Sequence, residues 1–139
     1  MTKQSIVWAL LSLAAATLWA QQAVVTPLIS KDLLESPGRE VSMITVEYPP
    51  GGSDPVHRHN AHALIYVLEG MIVMQVEGGR PVTLTAGQTF YEGPDDVHVV
   101  GRNASTTDKA RFLVFFVKDK GAPILIPTTT GRHWQDRSG

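Results

Sequence analysis

Apolar and polar positions alternate with the period of a β-strand through a succession of short runs, each closed by glycine, proline or aspartate. Residues 41–47 carry apolar and β-branched side chains in imperfect alternation, Val41, Met43 and Thr45 against Ser42, Ile44 and Val46. Residues 48–55, ending in PPGGSDP, are rich in turn formers. Two apolar runs, 63–68 and 71–76, flank an abrupt bend at residues 69–70. Gly78 and Gly79 then turn the chain into a strand at 82–85, and Ala86 and Gly87 lead into another at 88–92. Residues 93–96 turn it again into 97–101. The last strong run, 111–117, sets Phe112, Val114 and Phe116 against Leu113, Phe115 and Val117. Apolar on both faces, it is expected to lie centrally in a sheet and to be covered on each side. Residues 30–36 suggest a single helical turn capped by Ser30 or Asp32. Short strands at even spacing predict an all-β sandwich or barrel.

The two ends read differently. Lys3 precedes an uncharged apolar run at residues 6–18, and Ala20 offers a small residue before Gln21. This pattern predicts a signal peptide over residues 1–20, cleaved near Ala20, and a periplasmic or secreted protein. The run is short for a membrane span and no stop-transfer pattern follows, so no stable span is expected after processing. An uncleaved anchor helix is the competing reading. Residues 21–39 read as an N-terminal extension, 40–118 as the single domain and 119–139 as a C-terminal tail. The polar stretch after Pro127, with His133 and Trp134, reads as loose, although those two residues could also serve a lid.

Composition narrows the chemistry. The 139 residues include 12 Lys and Arg, 13 Asp and Glu, and no cysteine. With no basic stripe, nucleic acid is not an expected partner. Without cysteine there are no disulfides, no thiolate metal ligands and no thiol nucleophile. Any metal must be held by nitrogen and oxygen.

The histidines supply such donors. His57, His59 and His62 fall in HRHNAH and His98 in PDDVHVV. His57 and His59, one residue apart on an extended strand, face the same way. A third imidazole from a neighbouring strand, His98, would complete a facial set that suits one divalent metal and leaves positions open. The plainer alternative is a set of solvated or hydrogen-bonded loop histidines.

These residues also carry a resemblance. The stretch Gly51-x5-His57-x-His59-x10-Gly70 resembles the first motif of the cupin superfamily, and Gly87-x10-His98-x4-Asn103 resembles the second. The resemblance to small, type-2-like single-domain cupins covers roughly residues 40–118. It implies a cupin-like antiparallel β-barrel or jelly roll with a metal in its mouth, held by His57, His59 and His98. Where the family pattern has a glutamate, seven residues before the closing glycine, this chain has Ala63. In the second motif Gly93 stands in place of proline, Asp95 in place of glycine, and Asn103 falls one residue late.

Two outcomes follow from the absent glutamate. A neutral three-histidine set, as in thiol dioxygenase relatives, would leave a divalent ion its full charge and Lewis acidity. Alternatively His62 closes a four-histidine shell, if a bend at residues 60–61 resets the strand's phase. Glu92, His62 and Tyr66 are candidate catalytic residues, with Arg58 a candidate anchor; Asp95 and Asp96 read as turn residues. Tyr66, Phe90 and Phe116 could line an apolar pocket, but strand aromatics serve equally well as core.

The expected function is a metal-dependent enzyme, dioxygenase-like or an isomerase or lyase, acting on a small organic substrate. A non-catalytic cupin that binds or senses a ligand or metal is the alternative, and a homodimer is a further expectation. The cofactor is one divalent ion, Fe, Mn, Zn, Cu or Ni. Loading outside the cytoplasm would favour copper and zinc by affinity order. Mass spectrometry of the protein from its native source should find a chain beginning near Gln21; a membrane-bound form keeping residues 1–20 would identify an anchor instead.

Overall fold

A computed structural model describes residues 22–128. The expected signal at residues 1–20, His133 and Trp134 lie outside the described residues. Ten antiparallel strands build the described part: β1 Val24–Asp32, β2 Arg39–Tyr48, β3 His57–Arg58, β4 His62–Glu69, β5 Met71–Val76, β6 Val82–Thr85, β7 Thr89–Glu92, β8 His98–Asn103, β9 Ala110–Asp119 and β10 Ile126–Pro127. They form two five-stranded sheets, ordered β1-β2-β9-β4-β7 and β10-β3-β8-β5-β6. The fold is all-β, the jelly-roll barrel that the resemblance implies.

The inner face of the first sheet carries Ile44, Val46 and Tyr48 on β2, Phe112, Val114 and Phe116 on β9, and Ala63, Ile65 and Val67 on β4. Ile72 and Met74 of β5 and Leu84 of β6 face them from the second sheet. Full burial of each large apolar side chain is worth about 1.5–3 kcal/mol, so this layer dominates barrel stability. The bend after β4 requires Gly70. Its φ is +75°, and a Cβ there would stand 2.6 Å from the Lys109 carbonyl oxygen. Asn103 joins the loops at one end of the barrel: its Nδ2 donates to the Pro49 and Asp108 carbonyls, and its Oδ1 accepts from the Ser105 N–H.

Three expectations change. Residues 30–36 hold no helix capped by Ser30 or Asp32: residues 30–32 are strand, and only a single turn follows, the Ser36 N–H donating to the Leu33 carbonyl at 3.0 Å. Residues 24–32 pair along β2, Ser30 Oγ bonds the Val41 carbonyl, and Asp32 meets Lys120 Nζ at 2.5 Å. One isolated turn cannot repay its nucleation, whereas a partner strand offers the backbone a full ladder. Residues 119–128, assigned to the tail, are also part of the barrel. β10 pairs with β3, the Thr128 N–H donates to the Val56 carbonyl, and buried Lys118 anchors the segment by donating to the Ala122 carbonyl. Finally, β9 is central, between β2 and β4, but covered on one face only. Among the described residues its outer side chains, Leu113 and Phe115, border a surface concavity beside exposed Leu64, Tyr66 and Tyr91.

Candidate metal centre

Strand register brings the histidines together. His57 on β3 lies directly across from His98 on β8, and their rings meet edge to face at 4.9 Å. Arg58 points outward and is exposed, so His59 returns to the interior and packs edge-on against Phe116 at 5.0 Å. Asn60 then adopts φ +47°, the expected bend. After it Ala61 and Ala63 face inward and His62 outward. The bend therefore does not deliver His62 to the other imidazoles. Exposed on the outer face, His62 pairs its Nδ1 with the Tyr91 hydroxyl at 2.7 Å. The candidate fourth ligand is thus corrected: His62 is outside the cluster, as are Tyr66, on the outer surface, and exposed Arg58.

The position His62 was expected to fill is taken by Glu92. Its strand, β7, pairs with β4 so that Glu92 lies across from Ala63, the site of the missing motif glutamate. The carboxylate enters the same interior space from the adjacent strand. His57, His59, Glu92 and His98 are all buried, and each offers a ligand atom within 4.8 Å of the others. Glu92 Oε2 is 3.2 Å from His59 Nε2, and Oε1 is 3.5 Å from His98 Nδ1. The expectation of a neutral three-histidine site is therefore replaced by a set carrying one negative charge.

The bonding pattern of the imidazoles fits a cation. His57 Nδ1 lies 2.7 Å from the Pro55 carbonyl oxygen, and His59 Nδ1 bonds the Ile124 carbonyl. A carbonyl only accepts, so in each neutral ring Nδ1 carries the proton and Nε2 a bare lone pair. Those two Nε2 atoms face each other at 3.2 Å. Two lone pairs at that distance repel unless a metal ion or a proton is shared between them. His98 Nε2 and Glu92 Oε2 are also buried without a hydrogen-bond partner, Oε2 being close to His59 but out of bonding alignment. Three nitrogens and one carboxylate oxygen suit the mid-series divalent metals, and backbone carbonyls fix the tautomers of two ligands.

Titration behaviour reflects the same crowding. Burial pulls the His59 imidazole down, but attraction to the Glu92 carboxylate 3.2 Å away outweighs it and holds its pKa above the ordinary 6.5. Burial raises Glu92, but the three imidazoles outweigh it and hold its pKa below the ordinary value. His57 is lowered, first by burial and then by its imidazole neighbours.

The cavity around the cluster measures about 60 Å³ and is walled by Ile44, Val46, Ile65, Met74, Phe112 and Val114, with Ile124 and Leu125 at its edge. One more acid lines it, Asp54, which accepts a hydrogen bond of 2.5 Å from the buried Tyr48 hydroxyl. Burial, then Asp54, push the Tyr48 pKa well above 10.0. Gly101 makes this arrangement fit: a Cβ there would lie 2.6 Å from His98 Cε1 and 2.9 Å from the Tyr48 oxygen. Asp54, in PPGGSDP, reads in sequence as a turn residue, and nothing local marks it as interior. Phe90 packs against the core, and Asp96 accepts from the Gly93 N–H at 2.6 Å, as turn chemistry expects.

Replacing Glu92 by Ala should weaken zinc or cobalt binding by more than about 100-fold, beyond the 10–100-fold typical of residues behind the ligands. Adding Ala63→Glu to that variant should recover much of the loss, since the two positions are cross-strand neighbours. His62→Ala should leave affinity and one-ion stoichiometry unchanged by calorimetry. A loss equal to that of Glu92→Ala would return His62 to the ligand set.

Metal affinity should also fall with pH. An ion must displace the proton that Glu92 stabilises on His59, so affinity weakens as pH drops through the raised His59 pKa, starting above 6.5. Proton release measured with an indicator during cobalt titration checks this. Release that stays at zero from pH 8 to pH 5.5 would contradict it.

The comparisons agree with the fold. The sequence matches the cupin domain family over residues 44–116. No curated protein matches it. An oxalate oxidase solved with the substrate analogue glycolate is 26% identical, with a TM-score of 0.59, covering 76% of this chain and 55% of its own. The polyketide cyclase RemF from Streptomyces resistomycificus is 24% identical, with a TM-score of 0.59, over 78% of this chain and 72% of its own. A cupin domain from Bordetella pertussis is 23% identical, with a TM-score of 0.55, over 70% and 94%. The last two show a common fold, and the chain spans about half the length of the oxalate oxidase. With the family match running from β2 to β9 and the histidine cluster inside that span, the chain belongs to the cupin family.

Proposed function

We propose that this cupin is a metal-dependent enzyme acting on a small oxygen-bearing organic substrate, working outside the cytoplasm. One observation carries the reading: three imidazoles and a carboxylate converge, buried, in a largely apolar cavity, with the bare lone pairs of His57 and His59 facing one another. A bound divalent ion would supply Lewis acidity for a carboxylate, hydroxyl or carbonyl oxygen. Glu92 lowers the net charge of the site by one, and apolar side chains wall most of the cavity.

Asp54 favours an enzyme over a binder. It is a carboxylate in the cavity outside the four-residue cluster, and the Tyr48 hydroxyl orients it. Such a group can accept a proton from a substrate hydroxyl and return it. Size bounds what reaches this end of the site. About 60 Å³ admits a few non-hydrogen atoms beside an ion, a scale consistent with the two-carbon glycolate seen in the oxalate oxidase structure. The apolar outer face around Leu64, Tyr66 and Tyr91 supports the homodimer expectation, and the run at residues 6–18 supports export.

The test is turnover of a panel of small hydroxy, keto and dicarboxylic acids by metal-loaded protein, followed by mass spectrometry and oxygen uptake. Wild type should turn over at least one class, His98→Ala should lose the activity with the metal, and Asp54→Asn should keep the metal while slowing turnover by about 100-fold or more. Tight binding without turnover, unchanged in Asp54→Asn, would identify a binding protein.

A further inference from the structure

A further concavity opens beside the metal cavity, at the edge of the barrel. Its volume is about 470 Å³, against about 60 Å³ for the metal cavity. Leu28 and Ile29 of β1 form one side, Ala122 the other, and Ser42 lies in the floor. Ile44 and Ile124 line both spaces. The groove and the metal cavity therefore adjoin at these two isoleucines. Ile44 is fixed in the core, 3% exposed. Ile124 is half-buried and sits on the connection between β9 and β10, whose backbone is tied to the site by the His59–Ile124 hydrogen bond.

The groove floor is polar, buried and incompletely bonded. Ser42 Oγ, in a residue 6% exposed, has no hydrogen-bond partner. Next to it Lys118 Nζ meets Glu40 at 2.5 Å and donates to the Ala122 and Asp119 carbonyls at 2.7 and 3.3 Å. All three ammonium protons are engaged, and the lysine charge is matched by Glu40. The groove thus presents no free charge. It presents apolar walls and one buried hydroxyl, whose unmet bonding a ligand hydroxyl, carbonyl or amide would relieve.

We propose that this groove holds the remote part of the substrate, so that the substrate is an amphipathic acid rather than a two-carbon one. Its oxygen-bearing head occupies the metal cavity, and an uncharged, largely apolar body lies between β1 and Ala122. This deepens the metal-dependent reading above and rests on it. It also gives β1 a role in selecting substrate. Its side chains are exposed along the whole strand, and Leu28 and Ile29, which line the groove, would be covered by an apolar body lying in it.

Two acids with the same head distinguish the groove from the metal site: glycolate, and 2-hydroxyoctanoate with its six-carbon tail. Calorimetry on zinc-loaded full-length protein should find the tailed acid at least about tenfold tighter, well inside the roughly fourfold per methylene that complete burial would give. Ala122→Phe, which fills the groove, and Leu28→Glu, which charges its wall on an exposed strand, should each abolish that gain and leave glycolate unchanged. Equal affinity of the two acids for wild type, or a gain surviving both variants, overturns the groove and leaves the metal reading standing. If chelation of the metal leaves the tailed acid's affinity unchanged while both variants still abolish it, the groove stands and the metal reading fails.

Discussion

The site depends on an electrostatic conflict that the barrel imposes and a cation resolves. Two imidazoles are turned so that their bare Nε2 atoms face each other at 3.2 Å in the buried interior. Neither ring can relieve the contact by changing tautomer, because the Pro55 and Ile124 carbonyls hold the Nδ1 protons. Glu92 supplies the negative charge that makes a cation welcome, and it raises the His59 pKa for the same reason. A proton can occupy the place at low pH and a divalent ion at higher pH. Competition between them sets the pH dependence of the centre.

The carboxylate reaches this place by an exchange between paired strands. Ala63 and Glu92 are opposite one another on β4 and β7. Side chains at directly opposed positions project from the same face of the sheet, about 4.5–5.5 Å apart at Cβ. A carboxylate lost from one strand can therefore be restored from its neighbour with little movement of its head group. Alanine at 63 is also the complement of glutamate at 92, since two carboxylates so close in a buried space could not both ionise. The motif departs from the family's pattern in sequence while the donor set is preserved in space.

The segment after β9 ties the chain's last described residues to the chemistry. Lys118 holds its start, the Ile124 carbonyl fixes the tautomer of His59, and β10 closes it against β3. A shift of this segment would change the cavity wall and a ligand's orientation together. It lies between a small cavity suited to a reacting group and a larger groove suited to the rest of a molecule. The Tyr48–Asp54 pair, admitted by Gly101, stands on another side of the same cavity.

By itself the sequence determined the strands between residues 41 and 117, most of the turns and three of the four clustered donors. Imperfect period-two alternation at 41–47, the doubly apolar run at 111–117, and the same-face pair His57 and His59 are local properties that any neighbouring strand must accept. Tertiary structure decided what depends on register. His62 lies outward and Glu92 inward because the bend at Asn60 and the pairing of β4 with β7 settle which face each presents, and one residue of slip would reverse both. Asp54 reads as a turn residue until the barrel closes over it. Residues 24–32 and 119–128 carry too little periodicity to declare themselves, because their pairing energy comes from distant strands rather than from their own side chains. What a ligand meets in this protein was therefore decided mainly by pairing between remote segments, and what those segments are made of by the sequence alone.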